Sequence, residues 1–369
     1  MAENGKVKIG IIGTGQIGKV HMRRWAKIAG AEIVGVADID EAEAKRVAEE
    51  QGFAHAFKDY HDLLALDEIQ AVDVCVHNNL HAPISIAAMQ AGKEVYTEKP
   101  LAGSYTDAAR MMAKSEELGR KLYMQAGSVF KPETLAAKRL IDDGQLGRLY
   151  YAKSSHYRRR GRCFVDGYGT ASFVQKKVAA GGALYDMGIY AITRLLYLLG
   201  NPKVLTISGS TYQEIPMYED RRKQSNFDVE ELAIAVVRLE GGITFFIEEA
   251  WAIHLAGTDG SKIVGSKGGL SLDDFAFHTT TSDMEMDATF NLGAAMTRWG
   301  RCIPGTAAYL DREGHWAAVL RGEAELIPTA AIGLNMMLIA EGVYLSQELG
   351  REVTAEEVRE HSKSTALEV

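Results

Sequence analysis

The sequence predicts an α/β protein in two parts: a doubly wound parallel sheet over residues 1–126, then an α+β domain over residues 127–369 with a large, mainly antiparallel sheet. Three observations predict it. The first 126 residues alternate short β-branched runs with stretches of helical spacing, the rhythm of βαβ units. After Gly127 strand-like runs follow one another, the pattern of an antiparallel sheet. The chain of 369 residues, 47% of them hydrophobic, is long enough for two cores rather than one.

The elements follow in order. Val7-Lys8-Ile9-Gly10-Ile11-Ile12 is a strand, and Gln16 to Ala29 carries apolar residues at helical spacing (Ile17, Val20, Trp25, Ile28). The alternation continues with strand Glu32 to Ala37, helix Glu41 to Glu50, helix Tyr60 to Ala65, strand Ala71 to Val76 and helix Pro83 to Ala91. Strand Glu94 to Thr97, helix Thr106 to Leu118 and strand Leu122 to Gln125 complete the first part. One helix, Pro132 to Asp143, opens the second. Strands Leu149 to His156, Val204 to Tyr212, Glu231 to Leu239, Ile243 to Trp251 and Lys262 to Val264 follow, interrupted by a helix from Leu184 to Leu199. Helical segments at Ala307 to Leu320 and Ala330 to Leu349 finish the chain. Thr279 to Gly300 has little periodicity and reads as a long loop.

Between the first strand and helix stands Gly13-Thr14-Gly15-Gln16-Ile17-Gly18, a G-x-G-x-x-G. Its glycines permit a sharp turn, close approach of the backbone to a pyrophosphate, and tight helix–strand packing. The second strand ends at Asp38, twenty positions after Gly18, where a carboxylate would accept bonds from an adenosine ribose. Together these predict a Rossmann domain binding NAD rather than NADP, since Asp38 would repel a 2′-phosphate. Asp38 also suits the N-cap of the helix that follows. The strand ends His77-Asn78-Asn79 and Glu98-Lys99-Pro100 lie at carboxyl edges, where such sheets bind ligands, and should flank the nicotinamide.

Composition narrows the partners. A net charge of −8 argues against nucleic acid and against an anionic membrane surface. Cys75, Cys163 and Cys302 are odd in number and far apart, so neither a disulfide framework nor a clustered metal site is expected. Met1 to Lys6 lacks the regions of a signal peptide, and no run approaches the roughly 18 apolar residues of a membrane span. The expected setting is the cytoplasm. His77 and His81 stand four apart, but His77 ends a strand and Pro83 marks the next helix, so they lack the geometry of a metal-binding pair, and no metal is expected.

Three signatures in order, Gly13 to Gly18, then Glu98-Lys99-Pro100-Leu101, then Gly181-Gly182-Ala183-Leu184-Tyr185-Asp186-Met187-Gly188, make the chain resemble the glucose-fructose oxidoreductase / inositol dehydrogenase / rhizopine-catabolism (Gfo/Idh/MocA) family over nearly its whole length. The resemblance implies a nicotinamide-binding Rossmann domain and an open sheet that often forms a dimer or tetramer interface. It also implies oxidation or reduction of a secondary alcohol of a sugar, a cyclitol or a related compound. Arg158-Arg159-Arg160-Gly161, followed by Phe173 and Lys176, looks like a widespread subgroup of sugar oxidoreductases. The chain departs from the family at His77-Asn78-Asn79, where Thr-Pro-Asn is frequent, and at Ser128 to Lys131, where an arginine-rich segment is common.

Moving a hydride from a carbinol carbon needs a base for the hydroxyl proton and a cation for the developing alkoxide. Lys99 suits both tasks, and partial desolvation would lower its pKa toward neutrality. The family resemblance makes Lys99 the catalytic lysine and Glu98 a support on the cofactor side. It places His77, Asn78 and Asn79 along the cofactor, with His81 near the cleft. Asp186 corresponds to the aspartate that binds substrate and orients a partner four residues on. There the family commonly has histidine and this chain has Tyr190, whose ordinary pKa of about 10 makes it a poorer base than histidine at about 6.5. Tyr190 is a proton shuttle, a hydrogen-bond donor beside a basic Lys99, or a core aromatic sharing a face with Met187 and Tyr197. His156 and Arg160 either line the substrate cleft or belong to a solvated basic run, and Trp299 either stacks on a sugar or is core.

The leading expectation is an NAD-dependent dehydrogenase of sugar, cyclitol or glycoside hydroxyls, acting as a homodimer or homotetramer. The alternatives are an NAD-dependent glycoside hydrolase working by transient oxidation, elimination and re-reduction, and a non-catalytic NAD-responsive regulator.

Overall fold

The computed structural model describes residues 5–368; Met1 to Asn4, part of the stretch read above for a leader, lie outside the described residues. Six parallel strands form the first sheet: β1 (Val7–Ile12), β2 (Ala31–Ala37), β3 (His55–Phe57), β4 (Ala71–Val74), β5 (Glu94–Thr97) and β6 (Leu122–Met124), in the order β3-β2-β1-β4-β5-β6. That order places a topological switch point between β1 and β4, where the connections leave toward opposite edges and open a crevice. Helices α1 (Gln16–Trp25), α2 (Glu41–Gln51), α3 (Tyr60–Leu64), α4 (His81–Gln90) and α5 (Tyr105–Leu118) supply the crossovers. The three-residue β3 is too short to register as a periodic run. α4 starts two residues before Pro83, because proline is tolerated in the first turn, where its missing N–H has no intrahelical partner.

The second sheet has nine strands in the order β14-β13-β12-β11-β7-β10-β9-β8-β15. After α6 (Pro132–Asp142) comes β7 (Leu149–Tyr157), then α7 (Lys176–Ala179), a π-helical turn over Leu184–Gly188, α8 (Ile189–Leu198), β8 (Val204–Tyr212), α9 (Glu219–Ser225), β9 (Leu232–Leu239) and β10 (Ile243–Ala250). The remaining strands are β11 (Lys262–Gly265), β12 (Gly269–Ser271), β13 (Ala276–Thr281) and β14 (Met284–Thr289). They are followed by α10 (Leu292–Cys302), α11 (Arg312–Leu320), α12 (Thr329–Leu349), β15 (Val353–Thr354) and α13 (Ala355–His361). The sheet is antiparallel except where β7 and β10 run parallel.

The expected loop over Thr279 to Gly300 is instead the hairpin β13–β14 and α10. This hairpin is mostly exposed on both faces, so its residues lack the alternation that burial of one face imposes. Likewise the helical stretch from Ala307 is broken before Asp311, whose carboxylate caps α11.

α12 meets the length and apolarity of a membrane span, yet 72% of that window is buried within the protein. It packs on β8 and reaches across to α5 and β6, so it helps to make the apolar core continuous between the two sheets. Past α13 the chain returns to the first part, where the Asp107 carboxylate accepts from the Ser364 hydroxyl (2.6 Å) and the Thr365 amide (2.8 Å).

Candidate active site

The glycine-rich turn is built for close approach. Gly13 has φ +97°, and a Cβ on it would stand 2.4 Å from the Cys75 carbonyl oxygen; one on Gly18 would stand 2.0 Å from that of Gly13. Gly15, Gln16 and Ile17 are exposed, and a Cβ on Gly15 would meet nothing within 4 Å. α1 begins without a side-chain cap and without an acid in its first turn, whereas Asp40, Asp59 and Ser104 cap α2, α3 and α5. Its first N–H groups and the positive end of its dipole therefore face outward, and they fit a pyrophosphate. At the end of β2, Asp38 Oδ2 accepts from the Thr14 amide (2.6 Å) and hydroxyl (2.9 Å), and Oδ1 from the Asp40 amide (2.9 Å). Capping of α2 belongs to Asp40, not Asp38, because the helix begins at Glu41.

At the β4 edge, His77 is exposed, while Asn78 and Asn79 direct their amides to the carbonyls of Ala179 (2.9 Å) and Lys177 (3.3 Å). These bonds fasten the Rossmann edge to α7. His81 does not reach the cleft. It is fully buried, with Nδ1 2.7 Å from the Pro100 carbonyl and Nε2 3.1 Å from that of Val76, and burial pulls its pKa down. Its role here is to link the loops after β4 and β5.

Lys99 follows β5, and its peptide to Pro100 is cis. Its side chain is 13% exposed, and Nζ lies 3.4 Å from Asp186 Oδ1, 3.3 Å from the Asp186 carbonyl and 4.8 Å from the centre of the Tyr190 ring. The sequence thus brings Lys99, Asp186 and Tyr190 together as expected, but the expected lowering of the lysine pKa is reversed. Burial alone would lower it; Tyr190, Asp186 and Glu98 together hold it above its ordinary value. Lys99 is a held ammonium. Tyr190 is 39% exposed, which overturns its reading as a core aromatic.

The π turn carrying Asp186 starts on a buried carboxylate. Glu230 accepts from the amides of Gly182 and Leu184 (both 2.9 Å) and from the Tyr344 hydroxyl (2.9 Å). π turns of this kind recur at functional sites because they re-aim side chains within a helix. Asp186 Oδ2 accepts from Trp251 Nε1 at 3.0 Å, and the Arg158 guanidinium stands 3.7 Å away.

Of the basic run, then, Arg158 reaches the site. Arg160 faces Asp166 (3.9 Å) and lies over the Tyr218 ring, and Arg162 is fully buried between Asp166 and Glu231. His156 sits beside Glu249 in the β7–β10 register, its Nδ1 3.8 Å from a fully buried carboxylate oxygen. Burial raises the Glu249 pKa. Trp299 lies in α10 under the Arg139 guanidinium, 4.0 Å from its ring centre, and packs against the core rather than joining this cluster.

Several members were missed in the sequence. Trp251, one residue past β10, carried no signal separating it from its neighbours, and Arg158 stood within the basic run with nothing to mark it out from Arg160. Asp73 did: a carboxylate inside the buried strand Ala71–Val74 demands a partner. That partner is His21 on α1, which also bonds Glu98. Among the described residues, donors of His21, Asp73 and Cys75 lie within 4.8 Å of one another. Both ring nitrogens are already held by carboxylates, and burial pushes the Cys75 thiol up, so the group is a hydrogen-bonded chain.

Comparison with known proteins identifies the family of the two sheets. The profile described as "Oxidoreductase family, NAD-binding Rossmann fold" matches residues 7–126, and the GFO/IDH/MocA C-terminal domain matches residues 134–271. The D-glucoside 3-dehydrogenase of Escherichia coli strain K12 is 26% identical over 94% of this chain and 97% of its own. An uncharacterized oxidoreductase of Streptococcus pneumoniae serotype 4 is 32% identical over 73% of this chain and 69% of its own. Levoglucosan dehydrogenase, solved in complex with NADH and L-sorbose, superposes with TM-score 0.78 at 21% identity, covering 95% of this chain and 99% of that one. The chain belongs to the GFO/IDH/MocA family of NAD-binding oxidoreductases.

Proposed function

We propose that this protein transfers a hydride between a secondary hydroxyl of a sugar, cyclitol or glycoside and NAD, with Lys99, Asp186 and Tyr190 as the reacting group. The observation that carries this reading is the Lys99 ammonium held between the Asp186 carboxylate (3.4 Å) and the Tyr190 ring (4.8 Å) at the carboxyl edge of β5. NAD supplies the hydride acceptor when bound. Lys99, kept cationic, stabilises the alkoxide as it develops. Asp186, fixed by Trp251 and Arg158, orients the substrate hydroxyl, whose proton passes to the oxygen of the partly exposed Tyr190 as the phenol gives its own proton to water. The glucoside dehydrogenase relative supports the substrate class.

The test is incubation with NAD and a panel of sugars, cyclitols and glycosides, scored for NADH absorbance. Absence of turnover with all of them sinks the proposal, and aglycone release without net NADH redirects it to glycoside cleavage. Asp38 at the end of β2 supports NAD over NADP, because its carboxylate would face a 2′-phosphate. Asp38→Ser is expected to reduce that preference by about 10- to 100-fold, the worth of one charge-assisted interaction; an unchanged NAD/NADP ratio of kcat/KM counts against it.

Ile234 and Phe246 stand exposed on the outer face of the nine-stranded sheet, alternating with buried neighbours, and support assembly as a homodimer or homotetramer. The three cysteines are unpaired, which supports work in the cytoplasm. Sedimentation of the native protein as a monomer would overturn the assembly.

A further inference from the structure

We propose that His21 is a positioning residue: through the buried chain Asp73–His21–Glu98 it ties the glycine-turn helix α1 to Lys99 and fixes both the place and the charge of that lysine. The proposal rests on the reading of Lys99 as a reacting group. Its distances are short and its members buried. His21 Nδ1 is 2.8 Å from Asp73 Oδ2, Nε2 is 2.8 Å from Glu98 Oε1, and Glu98 Oε2 accepts the Lys99 amide at 2.7 Å. His21 and Asp73 are fully buried and Glu98 is 8% exposed. Asp73 Oδ2 is held further by Trp25 Nε1 at 2.7 Å.

A neutral imidazole has one N–H and one lone pair. A lone pair 2.8 Å from a carboxylate would be repulsive, so a ring with a carboxylate oxygen against each nitrogen carries both protons. The charges then alternate from the core to the site: Asp73 negative, His21 positive, Glu98 negative, Lys99 positive, Asp186 negative. Such a chain offsets the burial of each member, whereas removing a middle one leaves a buried charge unpaired. Burial by itself would lower the His21 pKa, but the charge of Asp73 and its hydrogen bond to the ring raise it. Burial by itself would raise Glu98, but His21 and then Lys99 bring it down to about 2.

The surrounding groups complete the environment. Cys75 Sγ lies 3.3 Å from both Asp73 Oδ1 and His21 Nδ1, and the Tyr96 ring stands edge-on to His21 at 5.9 Å. Beyond Tyr96, Glu313 is paired with Arg312 (2.9 Å) and Arg24 (3.8 Å), so no further free charge faces the ring among these groups. His21 lies three residues past Gly18. The helix whose N-terminus fits the cofactor phosphates therefore reaches the Lys99 backbone through two buried side chains in series, His21 and Glu98, and a shift of α1 is passed along them.

Without His21, two carboxylates face each other in the core and one takes up a proton. A protonated Glu98 no longer favours the Lys99 ammonium. His21→Gln and Asp73→Asn are accordingly expected to lower kcat by about 10- to 100-fold, the worth of one charge-assisted hydrogen bond, and to shift the pH profile of kcat. KM for NAD is expected to change by less than about threefold, since no cofactor contact is lost. Folded variants with the native kcat and pH profile would overturn the proposal. In the native protein labelled with 15N-histidine, His21 should give two imidazolium-type ring nitrogens from about pH 6 to about pH 9, where an ordinary histidine titrates. A neutral ring, or titration near the ordinary value, overturns it even if neither variant folds. Loss of turnover in Lys99→Ala together with native behaviour in His21→Gln removes this inference and leaves the proposed reaction standing. Undiminished turnover in Lys99→Ala removes the reaction reading, and the role of His21 with it.

Discussion

Lys99→Ala is expected to lower kcat by about a hundred- to ten-thousand-fold, the range for losing an electrostatic or acid–base group from a hydride-transfer site. Affinity for NAD should change little, because the glycine turn and Asp38 are left intact. The fall should appear in kcat and kcat/KM together, the signature of a contact strengthened in the transition state. Lys99→Arg restores charge but not the compact ammonium and should recover only part of the rate. The neighbours of Lys99 hold its pKa above its ordinary 10.5, so its charge does not change between about pH 6 and about pH 9. Any limb of the native pH profile in that window belongs to another group. A limb that vanished only in Lys99→Arg would contradict this assignment.

Gly182→Ala is expected to destabilise the protein by about 3 kcal/mol, at the upper end for overpacking, and to depress turnover in the folded fraction. A Cβ there would stand 1.9 Å from the Glu230 carbonyl oxygen, a backbone atom that cannot swing aside. That carbonyl accepts from Ala183 at 3.2 Å while the Glu230 side chain holds the amides of Gly182 and Leu184. The added methyl therefore pushes the whole start of the π turn, and Asp186 lies on that turn. Thermal unfolding and kcat measured on the same preparation check both effects; a native melting temperature with native kcat would show that the approach can relax.

The two effects differ in how far the sequence announces them. Lys99 is legible because its neighbours are: a lysine after a strand and before Pro100, preceded by a G-x-G-x-x-G and followed by the glycine pair, has few structural contexts. The parallel first sheet was legible for a related reason. Its strands are buried on both faces and read as continuous apolar runs, and each crossover helix must present an apolar stripe to them. The convergence of Asp186 and Tyr190 on Lys99 was legible from their four-residue spacing, which keeps both side chains on one side of the helical segment.

Charge and long-range contact were not. The sign of the Lys99 pKa shift depends on whether burial or its neighbours dominate, and that balance is set by Tyr190, Asp186 and Glu98, of which the first two lie 91 and 87 positions along the chain. Arg158 rather than Arg160 faces Asp186 because the loop after β7 turns back on the buried Arg162, whose partner Glu231 lies 69 positions on. Trp299 reads as a loop residue until α10 is seen packing beside α6. His81 reads as a cleft histidine until two carbonyls from separate loops close on it.

By itself, then, the sequence determined the alternating strands and helices of the first part apart from β3, the parallel sheet with its glycine turn, and the meeting of Lys99, Asp186 and Tyr190. These follow from local periodicity and from backbone positions that only glycine fits. Only the tertiary structure decided the protonation of Lys99, the choice of arginine and the Asp73–His21–Glu98 chain. Each of those depends on which side chains distant in sequence share a volume from which water is excluded, where a unit charge a few ångströms away outweighs any propensity written along the chain.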